Sequence, residues 1–134
     1  MRILLPSLLL LATACTPTAG DLERQAARDA GARAALDAEL AGLVPGKPQV
    51  CVNMTELRNL RAYGSTLVYT STGRDKLVNH TSGGCERVAN DAILVTRTSS
   101  SQLCRGDIAT TVDRTANTFS GSCGLGEFVR YSRP

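Results

Sequence analysis

From Gln49 to the C-terminus the chain is interrupted by turn signals at intervals of roughly ten residues, and no other feature limits its possible folds as strongly. Runs rich in β-branched and aromatic residues occur around Val50 and Val52 and over residues 60–63, 66–70, 76–80, 92–98, 108–113 and 128–131. Between them stand Gly64-Ser65, Thr72-Gly73-Arg74-Asp75, Gly83-Gly84, residues 99–101 and Gly121. Short strands joined by tight turns build antiparallel sheets. Residues 66–69 and 76–79 predict a hairpin with Thr72-Gly73 near its tip, and Ala92-Ile93-Leu94-Val95, the strongest apolar run, predicts a central strand.

Ahead of this region the pattern is helical. Asp21 offers an N-cap and Glu23 an acid in the first turn, and an Ala-rich stretch follows until Gly42 and the breaker Pro45-Gly46-Lys47-Pro48. A helix is expected over residues 21–44. Leu36, Leu40 and Leu43 form one stripe, whereas the first half presents mainly Ala among Arg24, Arg28, Asp29 and Arg33. Such a helix is either a spacer whose second half docks on the domain or a surface helix packed along its whole length. The expected fold class is therefore mainly β (α+β): an N-terminal helix followed by a small antiparallel sheet of five to seven strands, forming a partial barrel or sandwich, over residues 49–134.

The first residues read as an address. Met1 and Arg2 precede an apolar run over residues 3–12, too short for the roughly 20 residues a bilayer core demands but the right length for an export signal. The run ends in Leu11-Ala12-Thr13-Ala14-Cys15, which resembles the lipobox of bacterial membrane lipoproteins. The resemblance implies that residues 1–14 are a signal peptide and that Cys15 carries a diacylglycerol on its thiol and a fatty acyl group, such as palmitate, on its new amine. Residues 15–20 would then be a tether, and the protein would sit lipid-anchored in the cell envelope. Thr16 in place of Asp implies the outer membrane, facing the periplasm. Ala12-Thr13-Ala14 is also an A-x-A site, at which ordinary signal peptidase would release a soluble chain.

Cysteine parity bears on that choice. The chain has five cysteines, export puts it in an oxidising compartment, and lipid on Cys15 leaves an even set: Cys51, Cys85, Cys104 and Cys123. Disulfide staples matter for a small domain with few large aromatics. The expected pairs are Cys85 with Cys104, which flank the strand at residues 92–98, and Cys51 with Cys123, which would tie the first strand to the last. The spacing of Cys51, Cys85, Leu103-Cys104-Arg105-Gly106-Asp107 and Cys123 is also similar to small exported bacterial proteins of uncharacterised function. That likeness implies a periplasm-facing β-rich domain and brings no catalytic residues with it.

Composition narrows function further. A net charge of +3 and only five aromatic residues argue against nucleic-acid binding. One histidine and no C-x-x-C spacing leave no metal or cofactor expected. His80 near Cys85 could form a Cys-His dyad, but a disulfide at Cys85 and a surface His80 is the plainer reading. Glu86, Asp91, Asp107 and Glu127 could supply paired carboxylates, with Asp107 and Glu127 the first pair to inspect, or they are solvated turn residues and Arg partners. Arg105-Gly106-Asp107 reads as a turn after Cys104. The expectation is a non-enzymatic envelope lipoprotein, a binding or structural module held to the membrane by its lipid and facing a protein or glycan partner. The alternative is a small envelope hydrolase or an enzyme inhibitor presenting residues 70–76 or 98–102.

Overall fold

The computed structural model describes residues 16–134, so the leader and Cys15 lie outside the described residues. Among the described residues one α-helix, α1 (Ala19–Glu39), precedes ten strands. The strands are β1 (Val44–Gln49), β2 (Cys51–Asn53), β3 (Leu57–Tyr63), β4 (Thr66–Ser71), β5 (Lys76–His80), β6 (Ile93–Thr96), β7 (Gln102–Cys104), β8 (Ile108–Val112), β9 (Phe119–Gly124) and β10 (Phe128–Ser132). They form three antiparallel sheets in the orders β1-β10-β5-β4-β3, β2-β7 and β6-β8-β9, none of them closed into a barrel. The architecture is thus mainly β behind an N-terminal helix, with more and shorter strands than the five to seven expected. The strands outside the expected runs are β1, which covers the presumed breaker, β7, which has only three residues, and β9, which contains Gly121.

Helix α1 begins two residues before the expected start. Thr18 is the N-cap, and Asp21 stands at N3 in a capping box: its backbone N–H donates to Thr18 Oγ1 at 3.3 Å while its carboxylate accepts from Thr18 N–H at 3.2 Å. The helix ends at Glu39, not at residue 44, because Gly42 adopts a left-handed φ of 75° and the chain then extends. The presumed breaker Pro45-Gly46-Lys47-Pro48 lies within β1, at the outer edge of the large sheet, where a residue without an N–H leaves no ladder bond unmade. Ala26 and Ala30 are exposed, whereas Ala32, Leu36, Leu40 and Leu43 are half-buried. Only the second half of the helix packs on the sheet.

The predicted hairpin is present as β4 and β5, in register from Thr66 opposite His80 to Thr70 opposite Lys76. Strand alternation gives the large sheet two faces. On one, Ala62, Leu67, Tyr69, Leu77 and Phe128 join Val52 and Leu103 from the two-stranded sheet and Ala109 and Cys123 from the three-stranded sheet in a single core. On the other, Val68 and Val78 are equally buried but stand apart from that core, on the side that carries Arg61, Tyr63 and Lys76. Glu39 of α1 reaches these three: its carboxylate lies 2.7 Å from Lys76 Nζ and 3.7 Å from Arg61, and accepts from the Tyr63 hydroxyl at 3.1 Å.

Three expectations are corrected here. The disulfides are Cys51–Cys104 and Cys85–Cys123, not Cys85–Cys104 and Cys51–Cys123. Cys51 and Cys104 oppose each other across the β2–β7 ladder, and Cys85 sits in the core beside Cys123 of β9. The second correction concerns residues 92–98, which supply β6, an edge strand and not a central one. Gly121, expected between strands, lies inside β9, where a Cβ would collide with the carbonyl of Gly84.

Candidate functional site

The residues singled out for chemistry are placed mostly in structural roles. Cys85 is buried in its disulfide and so is no nucleophile, while exposed His80 shares a 3.0 Å hydrogen bond between its Nδ1 and Thr66 Oγ1. Asp107 closes the turn after Cys104, accepting from the Cys104 N–H at 2.8 Å. Gly106, at φ 93°, makes that turn possible. Glu127 pairs with Arg105 at 3.0 Å on an exposed surface, so Arg105 and Glu127 are brought together as an ion pair and not as half of a carboxylate dyad. The Glu86 carboxylate accepts from Gly84 N–H at 2.9 Å, and Asp91 pairs with Arg114 at 3.5 Å. Among the described residues no three of His, Cys, Asp and Glu gather in a metal-ligating cluster.

The two loops considered for an inhibitor are tied down locally. The turn from β4 to β5 closes with Ser71 N–H donating to the Asp75 carbonyl at 2.8 Å. In the second, Thr98 Oγ1 donates to the Gln102 carbonyl at 3.0 Å, and Met54 N–H to that of Ser101 at 2.9 Å.

A different surface stands out, on the three-stranded sheet. Its register sets Ile93 opposite Val112, Val95 opposite Thr110, Thr111 opposite Gly121 and Ala109 opposite Cys123. Alternation then sends Ala109, Thr111 and Cys123 inward, where all three are buried, and turns Ile93, Val95, Ile108 and Thr110 outward. The outward side chains stay uncovered: Ile93 is 42%, Val95 36%, Ile108 57% and Phe119, at the start of β9, 69% exposed. Val95, Arg97, Ile108, Thr110 and Phe119 line a groove of about 440 Å³ whose only charged wall is Arg97. Leaving side chains of this size in water forgoes roughly 1.5–3 kcal/mol for each that a partner would bury. A contiguous apolar patch on a small domain marks a contact surface.

A second concavity lies where α1 parts from the domain. Two adjoining hollows of about 380 and 410 Å³ share Gln25, Asp29, Ala32, Gly64 and Glu86. Their walls carry charges of both signs, from Arg28, Arg33 and Arg87 as well as Asp29 and Glu86. That mixture gives no field of one sign to select a charged ligand.

No protein-family profile matches the chain, and no curated protein or solved structure is significantly similar to it. Geometry therefore carries the functional reading. Sequence reasoning missed the apolar face because Ile93-Leu94-Val95 is equally apolar on both sides, which reads as full burial. The available signal was the outward set at alternating positions, Ile93 with Val95 and Ile108 with Thr110, together with Phe119 beyond a polar turn.

Proposed function

We propose that this protein is a lipid-anchored, non-catalytic binding module of the bacterial cell envelope, which meets its partner through the apolar face of Ile93, Val95, Ile108 and Phe119. The observation that carries the binding role is that these side chains lie together on one sheet face, uncovered. Anchoring is supported by the short apolar leader ending at Cys15 and by cysteine parity, since the two bridges use all four cysteines beyond Cys15. Each methylene placed in the bilayer contributes about 0.8 kcal/mol, so multiple acyl chains would hold the protein firmly. The exposed first half of α1 would then stand the domain away from the membrane, the whole helix spanning about 30 Å. Among the described residues no helix is long and apolar enough to cross a membrane.

The test has two arms, both on the full chain in its host. Cys15→Ser should empty the membrane fraction, and the isolated mature chain should begin at residue 15 with acyl groups on it. A membrane-free wild-type chain with a bare thiol there overturns the anchor. A photo-crosslinking side chain at position 119 should yield one discrete adduct in intact envelopes. Absence of any adduct overturns the binding face.

A further inference from the structure

The two disulfides stand in unlike surroundings. Cys85 and Cys123 are 1% and 2% exposed inside the core, whereas Cys51 and Cys104 are half-buried. Thiol–disulfide exchange requires a thiolate to reach a sulfur, so access decides which bridge is attacked first. Reaching Cys85–Cys123 requires the core to open, at a cost approaching that of unfolding. The more accessible bridge also fastens the segment that shapes one end of the apolar groove. Arg97 and Ile108, both in the groove wall, stand one step beyond the Thr96–Ala109 pair of β6 and β8, and the chain between them runs through β7 and Cys104. Strand β7 pairs with β2 over three residues, in a sheet of two strands. Leu103 is buried in the core opposite Val52, and the rest of residues 97–108 are exposed or half-buried. Beyond the ladder, Met54 N–H donates to the Ser101 carbonyl at 2.9 Å and Arg105 N–H to that of Val50 at 2.7 Å. The turn toward Ile108 is tied separately, Gly106 N–H donating to the Leu125 carbonyl at 2.9 Å. A two-stranded ladder this short is marginal by itself. The cross-link is therefore what keeps residues 97–105 from opening locally.

We infer that the Cys51–Cys104 bridge is a redox switch on the apolar binding face, opened by a dithiol reductant while Cys85–Cys123 stays closed. The inference rests on the binding-module reading and adds the regulation of its face. One thiolate of the reductant attacks a sulfur of the bridge, forming a mixed disulfide and releasing the other cysteine as a thiolate. The second thiolate of the reductant then attacks the mixed disulfide and releases the remaining cysteine. Cys51 and Cys104 end as two thiols, the reductant ends as a disulfide, and two electrons and, by way of solvent, two protons have passed to the protein. Residues 97–105 are then held by the short ladder, its two flanking hydrogen bonds and Leu103, so their local opening needs less free energy. Arg97, the charged wall of the groove, moves with them. The partner meets a complete groove in the oxidised state and a frayed one in the reduced state, while Cys85–Cys123 keeps the core joined in both.

Dithiothreitol is the probe. The full-length chain in native envelopes is treated with graded dithiothreitol, alkylated and mapped by peptide mass. Cys51 and Cys104 should be alkylated about tenfold faster than Cys85 and Cys123, given their difference in access. In the selectively reduced chain the yield of the position-119 adduct should fall several-fold. On the purified full chain, amide exchange over residues 97–105 should quicken while that of β4 and β5 stays unchanged. Cys51→Ala with Cys104→Ala, its Cys85–Cys123 bridge verified by mapping, should give the low adduct yield with or without dithiothreitol, which separates the switch from any action of the reagent on the partner. Equal alkylation of all four cysteines, or faster reaction at Cys85 and Cys123, overturns the inference. So does an adduct yield that selective reduction leaves unchanged. Absence of a position-119 adduct even in the oxidised chain is a different result, which overturns the binding-module reading itself.

Discussion

The side chain of Asn79 is hydrogen-bonded to both backbone groups of Gly126: its Nδ2 donates to the Gly126 carbonyl at 2.8 Å, and its Oδ1 accepts from the Gly126 N–H at 3.0 Å. Asn79 is fully buried on β5, and Gly126 lies so close under that strand that a Cβ would meet the His80 carbonyl. One amide thus completes the backbone pairing of the segment that carries the chain from β9 to β10. Asn79→Ala strips both backbone groups of half-buried Gly126 of their partners and leaves a void at a fully buried position. A loss of about 2–4 kcal/mol is expected, with Tm lower by roughly 10 °C. Urea and thermal unfolding measure it, and a loss below about 1 kcal/mol would mean the link is dispensable.

Glu39 couples the helix to the large sheet through charge. The hydrogen bond from Lys76, aided by that from Tyr63, holds its carboxyl below the usual glutamate value against the opposing effect of partial burial. A depressed folded-state pKa adds stability that is present above the unfolded value of about 4.3 and is lost as pH falls through the lower folded value. Hydrogen exchange of the amides in the last turns of α1 should therefore quicken as pH falls below 4, after correction for intrinsic rates. Glu39→Gln should show the quicker exchange already at pH 7. A variant that matches the wild type at both pH values would contradict the coupling.

The two disulfides should differ in worth. Both close long loops, with separations of 53 and 38 residues, and loop entropy alone assigns each about 4 kcal/mol as an upper figure. Cys85 and Cys123 are buried in the core, whereas Cys51 and Cys104 are half-buried. Replacing Cys85 and Cys123 by Ala should therefore destabilise by about 1–2 kcal/mol more than replacing Cys51 and Cys104, because voids add to the lost cross-link. Urea midpoints of the two double variants decide the order.

Tyr69 places a hydroxyl in the core with no hydrogen-bond partner among the described residues. Burial pushes its pKa up to about 12. A raised value for an acid means stability that is whole below the unfolded value of about 10 and falls between pH 10 and 12, as ionisation becomes favourable only on unfolding. Tyr69→Phe removes the unpaired group, keeps the ring against Phe128 at a centroid distance of 6.4 Å in the wild type, and should stabilise by about 1 kcal/mol. It should also flatten the alkaline part of the stability profile. A Tyr69→Phe protein less stable than wild type would show that the hydroxyl is satisfied.

Local chemistry was legible along the chain. Thr66 and its neighbours against Lys76 and its neighbours read as a hairpin because both strands and the turn between them lie within fifteen residues. The Leu36, Leu40 and Leu43 stripe likewise placed burial toward the end of the helical segment, with Leu36 in α1 and Leu40 and Leu43 just past its last turn. What depends on which segments meet was not legible. Cys51 pairs with Cys104 because β2 and β7 lie side by side, 53 positions apart in sequence. Asn79 finds Gly126 across the core, and Glu127 meets Arg105 instead of Asp107. The same applies to β6: an apolar run specifies a strand, but whether both its faces and both its edges are covered depends on how many strands the rest of the chain lays beside it. Backbone conformation follows from neighbours in sequence. Contact order, pairing and exposure follow from a global packing solution, and that solution left Ile93, Val95, Ile108 and Phe119 facing outward.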